Sequence, residues 1–247
     1  MARPGVADLL RTLGTVIVLV AATIVFGVIV LAVAVVNPTT PAIDRIVRVW
    51  ARLIVRAAGV RVEVHGTEKL DPNQAYVIIA NHRSALDIVC LFVAVPVPLR
   101  FLAKRELFSI PLFGTILRTL GMVSVDRGTT DHDSINADSA AALGLGHSLV
   151  VFAEGTRVAS PASKPFKKGG FIIAQQQNVP ILPIVIVGSG DVLASHGWIV
   201  RGGTVGVVID DPIPPVLISS KRIEEIASHT QTIMSLNERQ WEANRRA

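Results

Sequence analysis

The fragment Asn81-His82-Arg83-Ser84-Ala85-Leu86-Asp87 sets an imidazole and a carboxylate five residues apart, directly after the apolar run Tyr76-Val77-Ile78-Ile79-Ala80. A His–Asp pair in contact is a general-base device. The carboxylate accepts from one ring nitrogen, and the other nitrogen is left to take a proton. The spacing limits how the two can meet. Within one continuous helix they would point about 140° apart. If Ser84 caps a helix instead, His82 lies outside it, Asp87 falls in its first turn, and the imidazole can fold back over the carboxylate. Ser84-x-x-Asp87 also resembles a capping box, with Asp in place of Glu or Gln, and an acid suits a helix N-terminus electrostatically. On this fragment alone, a catalytic couple and a helix cap both stay open.

Four further stretches carry polar chemistry. Lys104-Arg105-Glu106-Leu107 stands upstream of Val123-Ser124-Val125-Asp126-Arg127; either alone reads as surface charge at a strand end. Glu154, Gly155, Thr156 and Arg157 follow the run Ser148-Leu149-Val150-Val151-Phe152-Ala153. Gly155 lets backbone approach a ligand closely, and Arg157 offers a planar fork for phosphate oxygens. A plain Glu154–Arg157 surface ion pair is the alternative, and it would contribute little. Lys167 and Lys168 precede a glycine pair that opens a helix, and helix N-termini attract anions.

Elements must bring these turns together. Residues 60–66 alternate as a strand, and 75–80, 148–154 and 181–188 are apolar runs of the buried-strand type. Residues 98–104, 121–127 and 203–215 read as further strands, the last ended by prolines. Helices are expected over 85–95, 132–146, 168–178 and 219–245. The alternation predicts an α/β fold: a mostly parallel or mixed central sheet flanked by helices, with an N-terminal membrane-anchoring helical segment. In such sheets, function gathers in loops at strand ends.

The anchor is read from composition. Half of the 247 residues are apolar, and the excess is local: no charged residue occurs from Thr12 to Ile43. Leu13–Val36 is long enough for the roughly 20 residues that span a bilayer core, and longer than the roughly 7–15 of a signal peptide. The next helix, about 42–58, carries Arg45, Arg48, Arg52 and Arg56 as one stripe beside Ile46, Val49, Trp50, Leu53 and Ile54. Such a basic amphipathic helix belongs at a membrane surface; an ordinary core-packing helix with a solvated face is the alternative. These two helices, residues 1–58, form the expected anchor, and 59–247 the expected catalytic domain. Arg45 to Arg61 follow the apolar helix and only Arg3 and Arg11 precede it, which places the bulk of the chain on the cytoplasmic side of the plasma membrane. The lone cysteine, Cys90, excludes an intramolecular disulfide and reads as a small core hydrophobe. The net charge of +5 asks for an anionic partner. Without zinc-finger spacing or a stacking motif, nucleic acid is disfavoured against phospholipid headgroups and phosphorylated metabolites. No His/Cys cluster suggests a metal, and no cofactor is expected.

Taken together, the turns resemble the 1-acylglycerol-3-phosphate acyltransferase family of phospholipid synthesis. Four blocks appear in order: NHRSALD for its His-x4-Asp block; KRELFSIPLFGTILRTLGMVSVDR for the second; FAEGTR followed by FKKGG for the third; and VPILPIVI for the fourth, over roughly residues 60–215. The resemblance implies an acyl transfer from acyl-CoA or an acyl carrier protein to a hydroxyl of a glycerol phosphate. It implies His82 as general base and Asp87 as its orienting partner. Lys104, Arg127 and Arg157 would hold the acceptor's phosphate, Glu154 and Gly155 would shape the glycerol site, Thr156 lies among these substrate-binding residues, and the fourth block would border the acyl-chain groove. Arg83, Val158 and Ala153 depart from the Gln, Ser and Pro common in the family, which bears on acceptor choice. The expected acceptor is lysophosphatidic acid, acylated at its sn-2 hydroxyl to phosphatidic acid. Glycerol-3-phosphate or another lipid headgroup is the alternative acceptor. A non-catalytic protein that binds anionic membrane phospholipids through the basic stripe is the alternative of another class.

Overall fold

A computed structural model describes residues 4–126, 132–158 and 165–246. The long apolar segment is a single helix, α1 (Val6–Val36), followed by α2 (Ala42–Ala57). The α/β body follows in chain order as β1 (Val60–His65), β2 (Val77–Ala80), α3 (Leu86–Ala94), β3 (Leu99–Lys104), α4 (Phe113–Thr119), β4 (Val123–Val125), α5 (His132–Gly144), β5 (Ser148–Phe152), α6 (Gly169–Gln177), β6 (Ile181–Val187), α7 (Ser189–Val192), β7 (Gly203–Ile209), α8 (Pro215–Ser220) and α9 (Ile223–Arg246).

Seven strands form one mixed sheet in the order β1-β7-β6-β2-β5-β3-β4. All adjacent pairs are parallel except β6 and β7. The continuous apolar runs lie at its centre: every residue of β2 and β6 is buried, as expected for strands covered on both faces. One face packs under α1, α2 and α3, with Ile78, Leu182 and Ile184 meeting Val30, Ile43, Ile54 and Leu91. The other packs under α6, α8 and α9, with Val77, Ile79 and Ile181 meeting Phe171, Ile218, Ile226 and Met234. Because β2, β5 and β3 are parallel neighbours, the turns that follow them emerge on one edge of the sheet. That places the His82, Glu154 and Lys104 turns side by side.

The outer face of α1 is apolar and uncovered, with Leu10, Leu13, Ile17, Val20, Ile24 and Val28 exposed. Its composition and length are those of a membrane helix, and this supports membrane association. Its inner face is docked along the body. The Thr12 hydroxyl accepts from the Val200 N–H, Thr15 donates to the Ala57 carbonyl, and Trp50 donates through its indole to Thr23. At Gly27 an added Cβ would collide with the Ile116 side chain of α4. On α2, Arg45, Arg52 and Arg56 face outward while Ile43, Val47, Ala51 and Ile54 enter the core. Helices α1 and α2 therefore share a core with the sheet.

The closing helix expected over 219–245 starts a turn later, at Ile223 in α9, because Lys221 turns extended at φ −124° and ψ 161°; the short helix α8 (Pro215–Ser220) precedes it. The stretch 105–119 carried no assignment from its pattern. It forms a 3-10 turn (Arg105–Ser109) and α4, closed so tightly that a Cβ at Gly114 would strike the Phe108 carbonyl.

α9 lies against β6 and reaches β7, where the Trp241 ring covers Gly206 and meets His65 edge-on at 5.0 Å. A Cβ on Gly206 would come within 2.3 Å of that ring. Gly206→Ala should therefore cost roughly 1–3 kcal/mol by overpacking. Adding Trp241→Phe should recover part of that loss, so the double variant falls short of the sum of the singles. Chemical unfolding of the four proteins, followed by circular dichroism, checks both statements.

Candidate active site

The chain leaves β2 at Ala80 and does not enter α3 until Leu86. Asn81 bridges the gap at the sheet edge. Its amide nitrogen donates to the Ile186 carbonyl at 2.8 Å and its amide oxygen accepts from the Ile186 N–H at 2.7 Å. The side chain thus imitates one more backbone pair, and β2 can turn away while β6 stays paired.

His82 and Asp87 meet as the spacing requires. Asp87 sits in the first turn of α3, fully buried, and its Oδ2 lies 2.9 Å from His82 Nδ1. The same oxygen accepts the backbone N–H groups of Arg83 at 2.7 Å and Ser84 at 2.9 Å. Ser84 Oγ accepts from the Leu86 N–H at 3.2 Å. The cap and the couple are one arrangement: the carboxylate that closes the helix start also holds the imidazole. An ionised carboxylate can only accept. Nδ1 therefore carries the proton, and Nε2 presents its lone pair. The ring plane is fixed by Phe152, which stacks on it with centroids 3.9 Å apart and planes 12° apart.

The loop is held from behind as well. Glu154, 5% exposed, accepts the His82 N–H at 2.7 Å. Burial pushes its carboxyl up to about 7, against the lowering effect of that bond and of the Arg83 charge. Val158 donates its N–H to the His82 carbonyl at 2.9 Å. Ala153 donates to the Ala80 carbonyl at 3.1 Å, a bond that proline at this position would remove. Two of the departures from the family pattern are thus backbone donors to the β2–α3 connection.

The other expected site residues distribute as follows. Lys104 is exposed at the end of β3, its ammonium 2.7 Å from Glu106. Arg127 lies outside the described residues. Gly155 stands at φ 70°, beneath the Lys167 side chain, and any Cβ there would collide with it. Lys167 is therefore part of this turn, while Lys168 pairs with Glu224 at 2.5 Å. Thr156 is exposed. Arg157 is half-buried and pairs with no carboxylate among the described residues. Glu154 faces the His82 backbone and a small cavity under α9. The structure therefore shows it supporting the loop. Cys90, fully buried, has its thiol pushed up to about 12, first by burial and then by Asp87, which fits a core residue and not a nucleophile. Among the described residues, no group of His, Cys, Asp and Glu could hold a metal ion.

Beside the couple opens an apolar cavity of about 660 Å³. Ala85, Ile88 and Val89 of the α3 start form its near wall, Phe101 and Phe92 its side, and Val20 and Gly27 of α1 its far wall. The fourth block does not line it. Ile181–Val187 is the buried central strand β6, so its apolar character is explained by sheet packing. Sequence reading missed Asn81, Phe152 and the cavity. Asn81 opens the NHRSALD block and Phe152 the FAEGTR block, but their partners are separated from them by long stretches of chain.

An acyltransferase family profile matches residues 61–187. The chain is 32% identical over 193 residues to 1-acyl-sn-glycerol-3-phosphate acyltransferase alpha of Homo sapiens, covering 77% of this chain and 68% of that protein. It is 31% identical over 180 residues to the 1-acyl-sn-glycerol-3-phosphate acyltransferase of Saccharomyces cerevisiae, covering 71% of this chain and 59% of that one. The chain thus spans about three-fifths to two-thirds of the length of these curated relatives. The crystal structure of the 1-acyl-sn-glycerophosphate acyltransferase PlsC of Thermotoga maritima superposes with a TM-score of 0.83 over 96% of this chain and 97% of that one, at 24% identity, and so shares its fold.

The buried Glu154 makes stability depend on pH. Its native pKa of about 7 lies above the value near 4.5 of an unfolded glutamate. The native state therefore holds the proton more tightly, and the associated stability is full below about 4.5 and lost as pH rises through 7. Glu154→Gln keeps an oxygen acceptor for the His82 N–H without a charge. Relative to wild type, it should gain stability between pH 4.5 and 7 and level off above that, by up to about 3 kcal/mol. Denaturant unfolding across that range measures the difference.

Proposed function

The chain belongs to the acyltransferase family, and on that premise we propose that it is a 1-acylglycerol-3-phosphate O-acyltransferase that forms phosphatidic acid at a membrane surface. The observation that carries the reading is the His82–Asp87 couple, with Nε2 free, beside an apolar cavity that α1 helps to wall. In this reading Nε2 takes the proton of the acceptor's sn-2 hydroxyl as that oxygen attacks the thioester carbonyl of the donor. The tetrahedral intermediate collapses with cleavage of the carbon–sulfur bond. The thiolate leaves and takes back the proton from the imidazolium, whose charge Asp87 stabilises. The products are phosphatidic acid and the free thiol of coenzyme A or of an acyl carrier protein.

Lys104, Arg127 and Arg157 hold the acceptor's phosphate, with Thr156 and Lys167 at the same edge. Glu154 acts through the His82 backbone, and Gly155 lets the chain pass under Lys167. The cavity takes the apolar acyl chain. The exposed face of α1 sits in the lipid, and the arginines after it favour the cytoplasmic leaflet of the plasma membrane. Residues 59–247 then work as the catalytic domain on that side. The acceptor assignment is supported by the names of the human and yeast relatives and by the EGTR wording of the third block.

The purified full chain, offered acyl-CoA with lysophosphatidic acid or with glycerol-3-phosphate, should convert the first to phosphatidic acid. His82→Ala should lower that turnover by about 10²–10⁴-fold while circular dichroism stays native. Acylation of glycerol-3-phosphate alone would overturn the acceptor, and wild-type turnover by His82→Ala would overturn the mechanism.

A further inference from the structure

Arg83, the residue between His82 and Ser84, has no part in the mechanism above, yet it is placed with care. Its backbone N–H is one of the three donors to Asp87 Oδ2. Its side chain leaves the loop on the opposite side and is only 13% exposed, with Nη2 2.6 Å from Glu238 Oε1 on α9; the Glu238 side chain is 8% exposed. Burial raises the Glu238 carboxyl and the Arg83 charge lowers it. Between them and the site lies a cavity of about 20 Å³, walled by Asn81, Arg83, Glu154, Ser235 and Glu238 among others. Arg83 is thus the cation set between two buried acids: Glu238, and the Glu154 that holds the His82 backbone.

We infer that Arg83 and Glu238 are a positioning pair, through which the C-terminal helix sets the orientation of the His82–Asp87 couple. A buried ion pair is a weak stabiliser, because desolvation cancels much of its attraction, yet removing either partner strands the other; here the contact is ionic, and Arg83 Nε and Glu238 Oε1 have no hydrogen-bond partner among the described residues. Two other described ties of α9 go elsewhere. Asn237 donates to Asp210, which Lys69 also engages, and Trp241 packs on Gly206. Glu238 is therefore the α9 residue whose described ion pair reaches the catalytic loop itself. Moving Arg83 moves two groups at once: its own N–H on Asp87, and the neighbouring peptide whose N–H is bound to Glu154.

This inference rests on the acyl-transfer reading, and the test separates the two. Wild type, Arg83→Gln, Glu238→Gln, the double variant and Asn237→Ala are assayed as full chains with acyl-CoA and lysophosphatidic acid. Each of the pair's single variants should lose kcat by at least about tenfold, the cost of a slightly misplaced group. Their KM for lysophosphatidic acid should hold within about twofold, and the double variant should be no worse than the poorer single. Asn237→Ala frees a neighbouring tie of the same helix and should keep wild-type kcat. Arg83→Lys retains charge with a shorter reach and should fall between; it stands in if Arg83→Gln does not fold, and Glu238→Asp does so for Glu238→Gln. Wild-type kcat in the folded pair variants, additive losses in the double variant, or an equal loss in Asn237→Ala overturns the positioning pair. An inactive wild type overturns the acyl-transfer reading instead.

Discussion

One carboxylate oxygen organises this molecule's chemistry. Asp87 Oδ2, without access to water, accepts three N–H groups within 2.9 Å: from the imidazole of His82, from the backbone of Arg83 and from that of Ser84. Burying a charge is costly unless it is hydrogen-bonded; Oδ1 has no hydrogen-bond partner among the described residues, so the compensation falls on Oδ2, and each of its donors lies between β2 and α3. Solvating the carboxylate with protein therefore forces the intervening chain into one shape. That shape puts the imidazole outside the helix, in a fixed tautomer. Helix capping and base orientation are the same set of bonds.

The surroundings serve to keep that shape. The sheet supplies Asn81 pairing with β6, the Phe152 ring, the Ala153 and Val158 N–H groups and the Glu154 carboxylate. These come from strands whose parallel order brings their ends to one edge. On the other side of α3, the apolar cavity abuts the same loop. A polar, hydrogen-bonded wall and an apolar wall thus flank the turn between β2 and α3, which suits a reaction joining a charged headgroup to a hydrocarbon chain.

Much of this was legible in the residues. The five-residue His–Asp spacing fixed where a helix had to begin, because only a break between them allows contact. The apolar runs of β2, β5 and β6 announced buried parallel strands, and the uncharged stretch after Thr12 announced α1. What could not be read were contacts between distant stretches. Glu238 is one acid among several on a polar helix, with nothing local to tie it to Arg83 155 positions earlier. The groove role of the fourth block came from the family resemblance, whereas its apolar run already read as a buried strand, and composition alone does not separate a strand facing a ligand from one facing its neighbours. The α4 region was silent since its turn depends on a Gly114–Phe108 backbone contact, which hydrophobic periodicity does not record.

The docking of α1 has its own consequence. Arg11 and Thr12 touch the chain before β7, Thr15 and Thr23 touch α2, and Gly27 meets α4, over more than four helical turns. The helix is therefore no tether on which a domain swings. In the proposed reading, with that outer face in lipid, folding alone sets the height of His82 above the hydrocarbon. The protein would then travel as one raft, meeting lipid substrates by diffusion in two dimensions while a water-borne donor arrives from the third.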